Sequence, residues 1–292
     1  MKSEHKNPPV RQVFQIYISK LKFLSLLISI FLLSSCNRET IDEINLSKYF
    51  NGIGGTAVFY NPQNSQYKIY NIPLSRKQSS PCSTFKIMSA YIALSEHIIT
   101  KESSNIAWNG KDYQNQNWNK DINLHDAFRT SCVWYFRTLT NKIPPKTIIS
   151  YLKKYNYGNQ DISDWQGHQN SNTDITELKG FWIESSLQIS PLEQTKVLAQ
   201  IFSEQTKVTE TLKDLMLITD TPIKIYGKTG LGIKDDLVND AWFVGFYEQD
   251  EHKIFFAVRL NDKENPIKNY RRQASTYAKQ ITLDIIRNAK IF

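Results

Sequence analysis

Metal-binding residues are scarce in this chain: three cysteines and five scattered histidines in 292 residues form no cluster with metal-ligand spacing. That argues against a metalloenzyme. No glycine-rich loop leads into Lys-Ser/Thr either. Gly52, Gly54 and Gly55 precede a strand-like run and are turn glycines, not a phosphate cradle. A membrane helix needs ~20 apolar residues, and the uncharged run Phe23–Leu33 stops short of that. There is no internal repeat and no low-complexity tract. A basic run is also missing. The net charge is +8, but Lys2, Lys6, Arg11, Lys20 and Lys22 against Glu4 place half of it within residues 1–35. The remainder is spread without a basic-aromatic stripe, so nucleic acid is not an expected partner.

What is present suits a folded body. Hydrophobic residues make up 40% and charged residues 22%, with fifteen Tyr, fifteen Phe and six Trp. This composition argues against disorder and supports one large domain or two intertwined subdomains. Residues 1–35 have the basic, apolar, small-residue layout of a secretory signal. Its end, Leu33-Ser34-Ser35-Cys36, resembles the lipobox of bacterial lipoproteins, which implies lipidation of Cys36 as the new first residue. An ordinary signal peptide with an incidental Cys36 and an uncleaved anchor remain the alternatives. On the lipoprotein reading, residues 36–48 are a lipidated tether to the membrane and residues 49–292 one catalytic domain. The expected location is the bacterial periplasm. Asn37, where inner-membrane retention would call for aspartate, points to the outer membrane. Cys82 and Cys132 then remain, and each flanks a candidate serine, so buried free thiols are expected although a disulfide is permitted.

The hydrophobic pattern changes twice along the body. Strand-like runs at 54–60 and 67–70 flank the turn Asn61-Pro62-Gln63-Asn64. Helical periodicity follows at 83–94, 124–128, 133–139, 147–155, 192–202 and 209–218. Strand-like runs return at 224–228, 240–247 and 253–260, with a last helix over 274–286. Strands at both ends of a helical middle imply an α+β fold, an antiparallel sheet with a helical lobe inserted at about 97–219. A cleft between such lobes commonly holds the site.

Three short strings carry chemistry. Ser83-Thr84-Phe85-Lys86 offers a hydroxyl at a helix N-terminus with an amine on the same face. The amine can act as a base only if its surroundings lower its pKa or modify it, and Phe85, Val133, Trp182 and Leu187 are candidates for that apolar setting. Ser131-Cys132-Val133 adds a hydroxyl that can relay a proton to a leaving amine. Lys228-Thr229-Gly230, at the end of a predicted strand, supplies a cation and a hydroxyl for a substrate carboxylate. The N–H groups of Ser83 and Leu231 would form the oxyanion hole. Each string has a plain structural alternative: helix caps for the serines, a strand ending in a glycine turn for Lys-Thr-Gly. Ser-x-x-Lys also starts at Ser3, Ser19, Ser65 and Ser150, so order and combination carry the inference.

Taken together, the chain resembles the class D (OXA-type) serine β-lactamases, a branch of the penicillin-recognising enzymes. Besides the three strings, Tyr157-Gly158-Asn159, the segment from Phe181 through Trp182 and Glu184 to Ser190, and Trp108-Asn109-Gly110, Trp118 to Asp121 and Leu124 to Ala127 extend the match. The resemblance implies the penicillin-recognising fold and hydrolysis of β-lactams through an acyl-Ser83 intermediate. It further implies that carbon dioxide carboxylates Lys86, that the Trp182 indole N–H holds the resulting carbamate, and that no other cofactor is used. Val133, Lys228, Thr229, Gly230 and an arginine before the last helix, Arg272 in preference to Arg271, would bind substrate. Two positions depart from the pattern: Cys82, where alanine is usual, and Leu231, where aromatics are also frequent. Glu184 is expected to be structural. Three competing readings are a penicillin-binding sensor domain that acylates without turnover, a peptidoglycan transpeptidase, and a non-catalytic envelope lipoprotein. Oligomeric state stays open.

Overall fold

The structure, a computed structural model, describes residues 39–219, 222–234, 237–249, 252–261 and 273–292. The leader and Cys36 lie outside the described residues, as do Arg271 and Arg272. Among the described residues no helix is long and apolar enough to cross a membrane.

Seven strands form one sheet: β1 (Thr40–Glu43), β2 (Gly55–Asn61), β3 (Gln66–Tyr70), β4 (Leu217–Thr219), β5 (Ile225–Lys234), β6 (Leu237–Gln249) and β7 (His252–Leu260). Their order is β1-β3-β2-β7-β6-β5-β4. The sheet is mixed and so departs from the antiparallel expectation, because β1 pairs parallel to β3. The stretch 36–48, read from sequence as a tether, thus contains an edge strand within its described part. Four exposed polar-flanked residues give no alternation to read, and the pairing partner is distant in sequence. β4 is a second short edge, formed where helical periodicity suggested the helix would continue to residue 218.

Strands β6 and β7 are buried on both faces, and alternation sorts their side chains. Ala241, Phe243, Ile254, Phe256 and Val258 join a core with the final helix, whereas Trp242, Val244, Phe246, Phe255 and Ala257 join the core of the helical side. The principal helices are α1 (Lys86–Ser95), α2 (Leu124–Arg129), α3 (Val133–Lys142), α4 (Pro145–Lys154), α5 (Pro191–Ile201), α6 (Lys207–Met216) and α7 (Ala274–Asn288). On α7, Ala274, Ala278, Ile281 and Ile285 recur at helical spacing and form the buried stripe. Pro191 at the first helical position and the reciprocal Ser190–Glu193 capping box start α5. That helix lies against β7 and β2, so it covers the sheet although it falls inside the expected lobe boundaries.

One glycine ties the helical side to the loop that carries Trp182. Gly158 has φ +51, and a Cβ there would collide with the Gln188 carbonyl group. Asn159 completes the join through bonds from its N–H to Gln188 O (2.9 Å) and from Nδ2 to Ser186 O (2.8 Å). Gly158→Ala is expected to cost roughly 2–4 kcal/mol, combining left-handed strain with a backbone clash. Denaturant unfolding followed by tryptophan fluorescence checks this; an unchanged midpoint would contradict it.

Candidate active site

The nucleophile turn is tighter than periodicity suggested. Cys82–Phe85 is a 3-10 turn, and regular α-helix begins only at Lys86. Ser83 and Lys86 lie three residues apart, which suits a turn that nearly eclipses i and i+3. Lys86 Nζ lies 2.7 Å from Ser83 Oγ, 3.0 Å from Ser131 O and 3.1 Å from Ser131 Oγ. The Ser83 hydroxyl is not spent on capping, since α1 has no side-chain cap.

Ser131 occupies the link between α2 and α3 with φ +56, a conformation uncommon outside glycine. Its carbonyl and hydroxyl both reach the same amine, and the helix-cap alternative does not apply: the N-cap of α3 is Cys132, without a side-chain bond. Lys228 Nζ donates to Ser131 Oγ at 3.0 Å and to Thr229 O at 3.1 Å. Ser131 Oγ therefore sits between two amines and can pass a proton between them.

Lys228 falls inside the ten-residue β5, not at a strand end. Gly230 suggested a strand ending in a turn, but the bare backbone at Gly230 and Gly232 is needed for close approach. A Cβ on Gly230 would sit 3.0 Å from both Pro81 O and Thr84 Cγ2, and one on Gly232 would strike Glu184. The approach brings β5 beside the nucleophile turn and sets Leu231 next to the closest contact. Thr229 and Leu231 remain partly accessible, as does Ser83.

Both amines are buried, Lys86 at 0% and Lys228 at 5% exposure. Desolvation holds Lys86 well below the ordinary lysine range, and the nearby Lys228 charge pushes it further down. Burial brings Lys228 to about 7. Each amine faces a ring: Phe136 lies 5.6 Å from Lys86 Nζ, and Phe128 lies 5.7 Å from Lys228 Nζ. Sequence reasoning missed both rings. Phe136 follows Val133 by three residues on α3, so helical spacing was the available signal. Among the described residues no group of three or more His, Cys, Asp or Glu could hold a metal ion.

Trp182 is fully buried, stacked on Phe85 at 5.6 Å, and its Nε1 has no hydrogen-bond partner. A buried indole N–H left without an acceptor costs free energy unless something supplies one. Its loop is held by side chains. Ser185 Oγ and the N–H groups of His168 and Gln169 all bond to Asp164. Burial alone would raise the Asp164 pKa, yet these donors outweigh it and bring the carboxyl to about 2. Cys82 and Cys132 are both free and buried.

The site therefore brings together Ser83, Lys86, Ser131, Lys228, Thr229 and Gly230, with Val133 opening α3 and Leu231 next along β5. It is equipped for nucleophilic attack by a serine whose proton is taken by a neutral amine. Residues 55–287 match the model of the penicillin binding protein transpeptidase domain. The regulatory protein BlaR1 of Staphylococcus aureus is 34% identical over 231 residues, 77% of this chain and 37% of that one. The chain spans only about two fifths of the length of such regulatory relatives, 37–41%. Among solved structures, the C-terminal domain of the Bacillus licheniformis BlaR penicillin-receptor superposes with TM-score 0.74 at 31% identity, covering 87% of this chain and 98% of that one. A class D β-lactamase from Sebaldella termitidis gives the same TM-score, 0.74, and identity, 31%, covering 87% and 99%.

Proposed function

This chain belongs to the penicillin-binding protein transpeptidase-domain family, and from that premise we propose that its folded body captures β-lactams as an acyl-Ser83 adduct, in the manner of a penicillin-receptor domain. One observation carries the chemistry: the buried Lys86 Nζ stands 2.7 Å from Ser83 Oγ. An amine kept neutral by burial accepts the Ser83 proton as the hydroxyl attacks the lactam carbonyl. The lactam C–N bond then breaks, and the leaving nitrogen takes a proton relayed through Ser131 Oγ. The N–H groups of Ser83 and Leu231 bind the oxyanion, while Lys228 and Thr229 bind the substrate carboxylate. The likeness to receptor proteins supports capture over turnover.

A second reading, turnover as a β-lactamase, is favoured by one feature: the unpartnered Nε1 of the buried Trp182. A neutral Lys86 amine can add carbon dioxide, giving a carbamate and releasing one proton. Trp182 Nε1 would hold that group, which supplies a base for the deacylating water. Steady-state assay of a chromogenic cephalosporin separates the readings. Capture predicts a burst of about one equivalent followed by a flat trace, with or without bicarbonate. Sustained turnover that falls at mildly acidic pH and recovers with bicarbonate would establish the second reading. No burst and no turnover would remove both.

Secretion through the leader, lipidation of Cys36 and a periplasmic, outer-membrane location complete the proposal. They rest on the resemblance of residues 1–36 to a lipoprotein signal.

A further inference from the structure

Two residues with left-handed backbone meet beside the nucleophile. Cys82 and Glu184 both have φ +49, a conformation that β-carbon sterics disfavour unless surroundings enforce it. Their side chains touch: Cys82 Sγ lies 3.4 Å from Glu184 Oε1. Burial first, and the Glu184 charge second, push the Cys82 thiol well above its ordinary pKa, so at neutral pH it keeps its proton and donates. Both groups rest on the bare backbone of Gly232, where a Cβ would collide with Oε1 and lie 2.9 Å from Sγ. The same pair is joined through Ser80, whose Oγ donates to Trp182 O at 3.0 Å and accepts from Glu184 N–H at 2.9 Å. Trp242 Nε1 anchors the Ser80 carbonyl at 3.0 Å.

Three segments that must keep register for catalysis thus converge on one thiol–carboxylate contact. Cys82 immediately precedes the nucleophile Ser83. Glu184 follows Trp182 by two residues. Gly232 follows Leu231, whose N–H is the second oxyanion donor.

We propose that Cys82 and Glu184 are positioning residues: the thiol donating to the carboxylate clamps the nucleophile turn, the Trp182 loop and β5 together. In this role the pair acts on no substrate or reacting atom directly. It acts by holding the Leu231 and Trp182 N–H groups at fixed distance from Ser83. Where alanine precedes the serine, as in the pattern this chain resembles, such a clamp cannot form. The effect on rate rests on the acylation reading above; the clamp itself does not.

The test uses Cys82→Ala, Cys82→Ser and Glu184→Gln in the full chain. The first readout is amide hydrogen exchange at Trp182 and Leu231 without ligand. Cys82→Ala is expected to speed exchange at both roughly tenfold, as loss of one hydrogen bond to a charged group would. Cys82→Ser, which restores a donor, returns it toward the parent value, while thermal midpoints stay close. Second, the pseudo-first-order acylation rate by a fluorescent penicillin should fall roughly tenfold in Cys82→Ala and recover in Cys82→Ser. In the infrared, the S–H stretch of the parent should shift on Glu184→Gln. Parent-like exchange in Cys82→Ala, or no rescue by serine, overturns the clamp. If the parent is never acylated, the proposed function falls, and the exchange data still decide the clamp.

Discussion

Ser83→Ala is expected to abolish covalent labelling by a fluorescent penicillin, a loss of at least ~10³-fold in acylation rate. The physical reason is that the acyl ester needs an oxygen beside a neutral base, and Ser83 Oγ occupies that place at 2.7 Å from Lys86 Nζ. One other hydroxyl competes: Ser131 Oγ, 3.1 Å from the same amine. It differs in accepting a second hydrogen bond from Lys228, which ties up its lone pairs and assigns it to proton relay. The substitution removes a single partly accessible oxygen, so the fold should melt within a few degrees of the parent. Peptide mapping by mass spectrometry after labelling provides the measurement. A labelled Ser131, or undiminished labelling of the variant, would refute the assignment.

Lys86→Met separates function from stability in opposite directions. Acylation should drop by roughly 10³, because the hydroxyl then has no base within reach. Stability at pH 6 should rise by several degrees in Tm, since a buried amine is replaced by an apolar side chain of similar volume. The pH dependence follows from proton binding. Burial lowers the folded-state pKa of Lys86 and brings Lys228 to about 7, against an ordinary 10.5. The unfolded chain therefore binds these protons more tightly. Stability is lost as pH falls through the folded-state values and recovers as pH rises toward 10.5. Urea titrations kept below pH 9, the ordinary thiol value, avoid the opposing effects of the buried Cys82 and Cys132 thiols and of the buried tyrosines. The parent should gain stability from pH 7 upward, and Lys86→Met should show a shallower slope. Parent-like acylation in the variant would exclude Lys86 as the base. A steeper slope would exclude the buried-amine account.

The two variants also bear on the proposed capture. A domain that holds an acyl group without releasing it has no need of a base at the deacylation step. In such a domain Lys86 matters for forming the ester, and the orphaned Trp182 N–H is then a feature of the pocket without a partner. The chromogenic assay with bicarbonate decides which condition obtains.

Much of the site was readable from residue order. Ser83, Lys86, Ser131 and Lys228 stand out because three short strings occur in one sequence, and the structure links their polar atoms in a chain of contacts, Ser83 to Lys86 (2.7 Å), Lys86 to Ser131 (3.1 Å) and Ser131 to Lys228 (3.0 Å). What could not be read was which Ser-x-x-Lys matters. Ser150 bonds Thr147 O on α4, and Lys68 lies on β3 after Ser65 outside that strand; both fit their local rules as well as Ser83 does. Glycine misled the reading of β5, since a strand glycine signals either a break or a close approach, and sequence does not distinguish them. Phe128 and Phe136 looked like ordinary core positions until the amines above them were located. The parallel pairing of β1 was invisible because its four residues are all exposed and its partner is distant.

By itself, then, the sequence determined the residue chemistry: a serine with a lysine three residues away, a second serine, a Lys-Thr-Gly strand and two flanking thiols. Hydroxyls and amines are properties of side chains, and a three-residue spacing is a local geometric constraint, so both are legible along the chain. Tertiary structure alone decided the state of that chemistry. Burial of Lys86 beside Phe136, the left-handed turns at Cys82 and Ser131, and the glycine contacts that draw β5 against Pro81 join residues far apart in sequence. Whether a lysine is an exposed cation or a neutral base depends on what surrounds its nitrogen, and only the packed fold provides those surroundings.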